Sequence, residues 1–93
     1  MFDQVLRRIQ AKVRSLEYIM TIHADEEMDD DSLSIFDVER VILTGQIVER
    51  QRDRNTRERK YLIKGQSIDA VDVIVVVKLS PTDMVVIITV YVE

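Results

Sequence analysis

The hydrophobic pattern changes near residue 45, and this change constrains the fold more than any other feature of the sequence. Before it, apolar residues recur every three or four positions, which places them on one face of a helix. After it, short apolar runs alternate with polar links rich in turn-forming residues, as is typical of β-strands. A chain of 93 residues is large enough for one domain around a single core. The sequence therefore predicts one α+β domain over residues 1–93, with its helices first and its strands last.

Three helical segments are predicted in the first half. An amphipathic pattern predicts an N-terminal helix over about residues 1–16, beginning near residue 2. Residues 18–22 are β-branched and aromatic, which suits a short strand or an extended lead-in to a helix over residues 23–30. The next helix has the clearest boundaries, because Ser34 and Asp37 form a capping-box pattern and Gly45 is an expected C-terminal stop.

Four strands are predicted in the second half, over residues 47–52, 59–64, 71–79 and 84–92. Their short connections favour an antiparallel meander. The last two runs are apolar at most positions on both faces, so we expect them inside the sheet. The predicted fold is two to three short helices packed on one face of a four- to five-stranded antiparallel sheet. The other face has no predicted cover, which suggests a partner or a homodimer.

Composition excludes several classes of protein. The chain has no cysteine, and therefore no disulfide framework and no thiolate metal site. Its apolar runs are too short to cross a bilayer, and its start lacks the apolar block of a signal peptide, so we expect a cytoplasmic protein. A net charge of −4 and a pI near 5.0 argue against a protein that binds polyanions over its whole surface. No nucleotide-binding loop is present, and no cofactor is predicted.

His23, the only histidine, begins the most chemically suggestive segment of the chain and precedes an acidic run over residues 25–31. Its side chain ordinarily titrates near neutral pH, which suits proton transfer. Glu26 falls on the same helical face and can orient it. The same spacing occurs in metal sites, but the chain has no second histidine and no calcium-loop spacing, so no metal site is predicted. The alternative is that His23 packs at a strand-to-helix junction, bonded to Glu26 or the backbone.

The segment from Arg50 to Lys60 carries six basic residues and two acidic ones, which leaves room for a local anion site. Arg50, Arg52 and Arg54 alternate, so in a strand they would point to one side. Such a row can hold an RNA backbone or grip an acidic segment of a partner. Charges on an edge strand also prevent aggregation, and this role needs no ligand.

Two ordered motifs carry a family resemblance. In its family form the first reads T-x-H-A-x-E-R-M followed by a helix that opens I-x-x-x-D-V-E, and the second is a terminal V-I-I-T-V-Y strand. The matching positions are Thr21, His23, Ala24, Glu26, Met28, Ile35, Val38, Glu39, Gly45, Tyr61, Gly65 and residues 87–91. Over about residues 18–92 the chain resembles the small bacterial domain family DUF4258. It departs from the family pattern at Glu27, where arginine is usual, and at Asp72, where histidine is frequent.

The resemblance implies a function, because DUF4258 proteins look like RelE- and BrnT-type toxins, which are small α+β ribonucleases that pair with antitoxins. It implies metal-independent endonucleolytic cleavage of RNA. The implied catalytic residues are His23, Glu26 and Tyr91, and the implied RNA-phosphate ligands are Arg57, Arg59 and Lys60. The two departures replace groups that would bind or cleave phosphate, so a relative that has lost the activity is an open alternative.

A second hypothesis comes from a different class of function. The chain can be a non-catalytic interaction module that dimerises or docks a partner through its open sheet face. The acidic pI and the missing arginine favour this alternative. The partners expected from the two hypotheses are an antitoxin, a second copy of the chain or RNA, and neither a membrane nor DNA.

Overall fold

The computed structural model describes residues 2–93 and contains three helices and one five-stranded sheet. The elements are α1 (Asp3–Arg14), β1 (Tyr18–Met20), α2 (Ile22–Asp30), α3 (Ile35–Thr44), β2 (Gln46–Arg52), β3 (Arg59–Gln66), β4 (Asp72–Leu79) and β5 (Val85–Val92). The predicted α+β class is therefore confirmed. Within the described residues, no helix has both the length and the apolar character needed to cross a membrane.

The sheet has the strand order β1-β5-β4-β3-β2. Strands β2 to β5 form the predicted antiparallel meander, and β4 and β5 lie inside the sheet. β1 pairs with β5 in parallel, with Tyr18 opposite Val85 and Met20 opposite Ile87, so the sheet is mixed. The prediction of an antiparallel sheet is wrong for this one pair. Short turns dictate the direction of consecutive strands only, and β1 is separated from β5 by most of the chain.

The core lies between the helices and one face of the sheet. α1 contributes Ile9 and Val13, and α3 contributes Val38, Val41 and Ile42, all essentially inaccessible to solvent. The sheet residues of the core are Tyr61, Ile63, Val73, Val75, Val77, Val85, Ile87 and Val90. The alternation along β4 places every second valine on this face, as the period of a strand requires.

Helix α3 begins with the predicted capping box. The Ser34 hydroxyl accepts the N–H of Asp37 at 3.3 Å, and the Ser34 N–H donates to the Asp37 carboxylate at 2.8 Å. The other oxygen of Asp37 accepts the N–H of Ile68 at 2.9 Å. The backbone N–H of Ser34 has the largest effect and that of Ile68 the next, and both hold the pKa of Asp37 below its usual value. One carboxylate thus joins the start of α3 to the β3–β4 turn.

The two glycines allow the end of α3 to approach β3 closely. Gly45 is the C-cap of α3, as predicted, but its φ of −89° is open to any residue. Glycine is needed because a Cβ there would collide with the backbone carbonyl oxygens of Val41 and Lys64. The strand predicted over residues 59–64 extends further in the structure, and Gly65 lies within β3, where a Cβ would be 2.9 Å from the Val41 oxygen. Both positions therefore bring helix and strand backbones together.

The sheet face opposite the helices exposes little apolar surface at its centre. Ile74, Val76 and Val86 are only 3%, 8% and 7% exposed. In the strand register, Lys64 lies beside Ile74 and Lys78 lies beside Val86, so long lysine stems flank these residues. The sequence-based expectation of an uncovered apolar face therefore overstates the apolar area available to a partner.

Candidate functional site

An open groove with a volume of about 430 Å³ lies between the N-terminal end of α1 and the β2–β3 hairpin. We call it the arginine groove; it is lined by Phe2, Asp3, Gln4, Val5, Arg50, Arg59 and Tyr61. Antiparallel pairing sets Arg50 opposite Tyr61 and Arg52 opposite Arg59. Because Tyr61 belongs to the core, both pairs lie on the helix side of the sheet.

Two aromatic rings lie beside Arg50 in the groove. The Phe2 and Tyr61 rings meet edge to face, with centroids 6.4 Å apart. The Arg50 guanidinium carbon lies 5.7 Å from the centroid of the Phe2 ring, within cation–π range. Stacking of this kind orients the guanidinium while leaving its N–H donors available to a ligand.

Asp3 lines the groove but forms no ion pair with an arginine of the described chain, and the two carboxylates of the Arg50–Lys60 segment are engaged elsewhere. Glu58 bonds Lys78 at 2.6 Å, on the other side of the sheet from the groove. Asp53 accepts the backbone N–H groups of Asn55 and Thr56 at 2.8 and 3.1 Å. The hydrogen bond from Thr56 has the largest effect and that from Asn55 the next, and together they hold the pKa of Asp53 below its usual value. Asp53 therefore stays ionised without neutralising an arginine.

The arginines are left without carboxylate partners. In the described part of the chain, none of Arg50, Arg52, Arg54, Arg57 and Arg59 forms an ion pair. Arg52 and Arg59 lie directly opposite each other on paired strands. Two like charges in this arrangement destabilise the sheet. A bound anion would relieve this repulsion, and a guanidinium binds phosphate or carboxylate with two parallel hydrogen bonds.

The predicted phosphate ligands are divided between the two sheet faces. Lys60 follows Arg59 in β3, so its side chain points away from the groove, where its nitrogen lies 3.8 Å from Asp53. Arg57 lies before β3, at a left-handed φ of 61°. Arg59 is grouped with Arg50 and Arg52 instead. The alternation of Arg50 and Arg52 in the sequence was the available signal for this group, whereas nothing in the sequence indicated that Phe2 lines it.

His23 lies on α2, which lies beside β5, whereas the arginine groove lies beside β2 and β3 at the other edge of the sheet. Its side chain is 68% exposed, and its Nε2 atom is 3.1 Å from Glu27, one helical turn later. The predicted partner, Glu26, is exposed and forms no hydrogen bond or ion pair with the described residues. Helix α2 begins at Thr21, whose hydroxyl accepts the N–H of Ala24 at 3.1 Å.

The acidic residues of α2 complete the edge of β5. The Thr21 N–H donates to the Ile87 carbonyl at 3.0 Å, just where β1 ends. Beyond this point Glu27 accepts the Val90 N–H at 3.2 Å. The departure from the family pattern at Glu27 thus supplies an acceptor for a backbone group that the sheet leaves unpaired.

The predicted catalytic residues do not converge. His23 and Glu26 lie on α2, beside the β5 edge, whereas Arg59 lies on β3, with β4 between β3 and β5. Tyr91 is 38% exposed and pairs with Ile74, at the opposite end of β4 from the residues that face the start of β3. Within residues 2–93, no three histidine, aspartate or glutamate side chains are placed to hold a metal ion.

Comparison with known families assigns the chain to one of them. The model of the family described as "Domain of unknown function (DUF4258)" matches residues 20–92. The chain belongs to the DUF4258 family. This match confirms the family predicted from the T-x-H-A motif and the terminal strand. In this DUF4258 chain α1 lies outside the matched range, so Phe2 joins the arginine groove from outside it. No curated protein and no solved structure gives a significant match.

Proposed function

We propose that this DUF4258 chain binds single-stranded RNA in the arginine groove, as a relative of RelE- and BrnT-type ribonuclease toxins. The observation that carries the proposal is that Arg50 and Arg59 line the groove beside two aromatic rings, with Arg52 opposite Arg59, and none of the three forms an ion pair with the described residues. Arginine matches the geometry of phosphate oxygens, and aromatic rings stack on unpaired bases.

The shape of the groove and the charge distribution favour a flexible single strand. The groove is open to solvent and lies between α1 and the β2–β3 hairpin. The acidic residues 25–31 lie on or just after α2, beside β5 and toward the other edge of the sheet. Because salt screens charges beyond about 10 Å at 0.1 M, the local positive charge outweighs the net charge of −4 for a ligand in the groove.

Arginine substitutions test the binding site. Arg59→Ala is expected to weaken binding of a fluorescently labelled single-stranded RNA by roughly tenfold, because a hydrogen bond to a charged group contributes about 1.5–3 kcal/mol. It should also reduce the salt dependence of the binding constant by about 0.7 for each phosphate that the protein no longer neutralises. Arg40→Ala is the matched control, since Arg40 is exposed on α3. Fluorescence anisotropy at several salt concentrations measures both quantities.

Two outcomes of this titration contradict the proposal. One is the absence of RNA binding by the folded wild-type chain at low salt, where electrostatic binding is strongest. The other is an equal loss of affinity in the Arg59→Ala and Arg40→Ala variants, which would indicate attraction by net charge rather than binding in the groove.

Cleavage of RNA is the second candidate function, and the His23–Glu27 pair on α2 favours it. This pair lies toward the other edge of the sheet, so cleavage would require a strand long enough to reach from the arginine groove to α2. When Nε2 donates to Glu27, the neutral imidazole has its other nitrogen free to accept a proton. That nitrogen can take the proton of a ribose 2′-OH as its oxygen attacks phosphorus, while the departing 5′ oxygen gains a proton from water.

A separate assay distinguishes cleavage from binding. With a chelator present, the wild-type chain is expected to yield RNA fragments with 2′,3′-cyclic phosphate ends, and His23→Ala is expected to lower the rate by about 100-fold or more while retaining RNA affinity. Gel analysis of the fragments and growth of cells expressing each form measure the effect. Intact RNA under conditions where the wild-type chain binds it would refute cleavage and leave the binding proposal standing.

A further inference from the structure

The sheet has two edge strands, and they differ in charge. β2 carries Glu49, Arg50 and Arg52, so pairing two β2 strands would bring six charged side chains into the interface. β1 consists of Tyr18, Ile19 and Met20 and carries no charge. Edge strands without such protection readily pair with another strand. Self-association is therefore opposed at β2 and unopposed at β1.

The hydrogen bonds of β1 leave one side of its backbone open. The Glu17 carbonyl accepts the Val85 N–H at 3.2 Å, and the Thr21 N–H donates to the Ile87 carbonyl at 3.0 Å. Residues of a strand direct their backbone groups to alternate sides, so Tyr18 directs its N–H and C=O away from β5. The same holds for Met20, and no strand of the described chain lies on that side.

Three apolar side chains are exposed along the same segment. Leu16, Ile19 and Ile22 are 72%, 54% and 79% exposed. Leu16 and Ile22 are each three residues from Ile19 in the sequence. Leu16 adopts a left-handed φ of 58° where α1 ends, in a Schellman motif in which its N–H donates to the Val13 carbonyl at 3.0 Å. This turn leaves the Leu16 side chain exposed at the start of β1.

We propose that the β1 strands of two copies of this chain pair antiparallel about a twofold axis at Ile19, which joins the two sheets into one. In this register Tyr18 of one copy exchanges both backbone hydrogen bonds with Met20 of the other. Ile19 faces its own counterpart in a non-hydrogen-bonded pair, with Cα atoms about 4.5 Å apart. In the same register, Leu16 of one copy lies opposite Ile22 of the other.

Charge complementarity favours a second copy as the occupant. The twofold axis turns the end of α1, with exposed Arg14, toward the start of α2 of the other copy, with exposed Asp25 and Glu26. None of the three forms an ion pair within the described chain. The arginine groove lies at the opposite edge of the sheet, so this dimer leaves it open.

The molar mass in solution tests the dimer. The wild-type chain is expected to show twice its mass of 10.9 kDa by light scattering. Ile19→Asp places two like charges on the axis and is expected to weaken dimerisation by at least about tenfold. Val48→Asp is the matched control, because Val48 is 53% exposed on the other edge strand, and it should remain dimeric. Circular dichroism shows whether each variant is folded.

A crosslink tests the register. The chain has no cysteine, so Ile19→Cys introduces a single thiol. Two such thiols facing each other across the axis lie within disulfide range, and oxidation is expected to give a covalent dimer. Val48→Cys should crosslink far more slowly. A monomeric wild-type chain, a dimer that survives Ile19→Asp, or faster crosslinking of Val48→Cys would each overturn the proposal.

Discussion

Replacing Gly45 with alanine is expected to lower the free energy of unfolding by about 3 kcal/mol, the upper part of the usual range for overpacking. The added Cβ would collide with the backbone oxygens of Val41 and Lys64. Neither oxygen can move easily. The Val41 oxygen accepts the Gly45 N–H at 2.8 Å in the last turn of α3, and Lys64 belongs to a strand paired on both sides.

Chemical denaturation of three variants measures this effect. Gly65→Ala is expected to cost less than Gly45→Ala, because its Cβ would meet the Val41 oxygen at 2.9 Å and so needs a smaller adjustment. Thr44→Ala is the matched control, since Thr44 is exposed and adjacent, and it should change stability by no more than about 0.5 kcal/mol. A Gly45→Ala protein as stable as the control would show that the approach of α3 to β3 is not tight.

Replacing Glu27 with alanine is expected to destabilise the chain by about 2 kcal/mol, within the usual penalty for a buried group left without a hydrogen bond. Glu27 accepts the N–H of Val90 at 3.2 Å, and its side chain is only 25% exposed. Glu27→Gln keeps an acceptor oxygen and should recover much of the loss. Glu26→Ala is the matched control, because Glu26 is exposed on the same helix.

Amide hydrogen exchange adds a local test of the same hydrogen bond. The Val90 amide should exchange faster in Glu27→Ala than in Glu26→Ala, beyond what the change in global stability explains. Equal stability and equal exchange at Val90 in the two variants would contradict a role for Glu27 in completing the β5 edge. A loss of stability without faster exchange at Val90 would assign the role of Glu27 to another interaction.

Most of the fold could be predicted because its signals are local. The capping box at Ser34 and the apolar spacing of α1 determine helices within a few residues of chain. The two-sided apolar pattern of β4 and β5 likewise indicated interior strands. The parallel pairing of β1 could not be predicted in this way, since three residues carry no information on direction.

The site was less predictable because it depends on residues that are distant in sequence. Arg57, Arg59 and Lys60 formed one basic segment in the sequence, but strand alternation sends Lys60 to the other face. The acidic run after His23 offered several partners at helical spacing. Glu27 is the one selected in the structure, and it also accepts an N–H from β5, which no helical pattern reveals.

The central claim is that RNA phosphates bind in the arginine groove, and an NMR titration tests it most directly. On addition of single-stranded RNA to the ¹⁵N-labelled chain, the amide signals of Arg50, Arg59 and Tyr61 are expected to shift saturably. With an RNA too short to reach α2 from the groove, the signals of Asp25 and its neighbours on α2 should stay in place. Shifts confined to α2 or to the sheet face opposite the helices, or none in the groove while RNA is bound, would contradict the account.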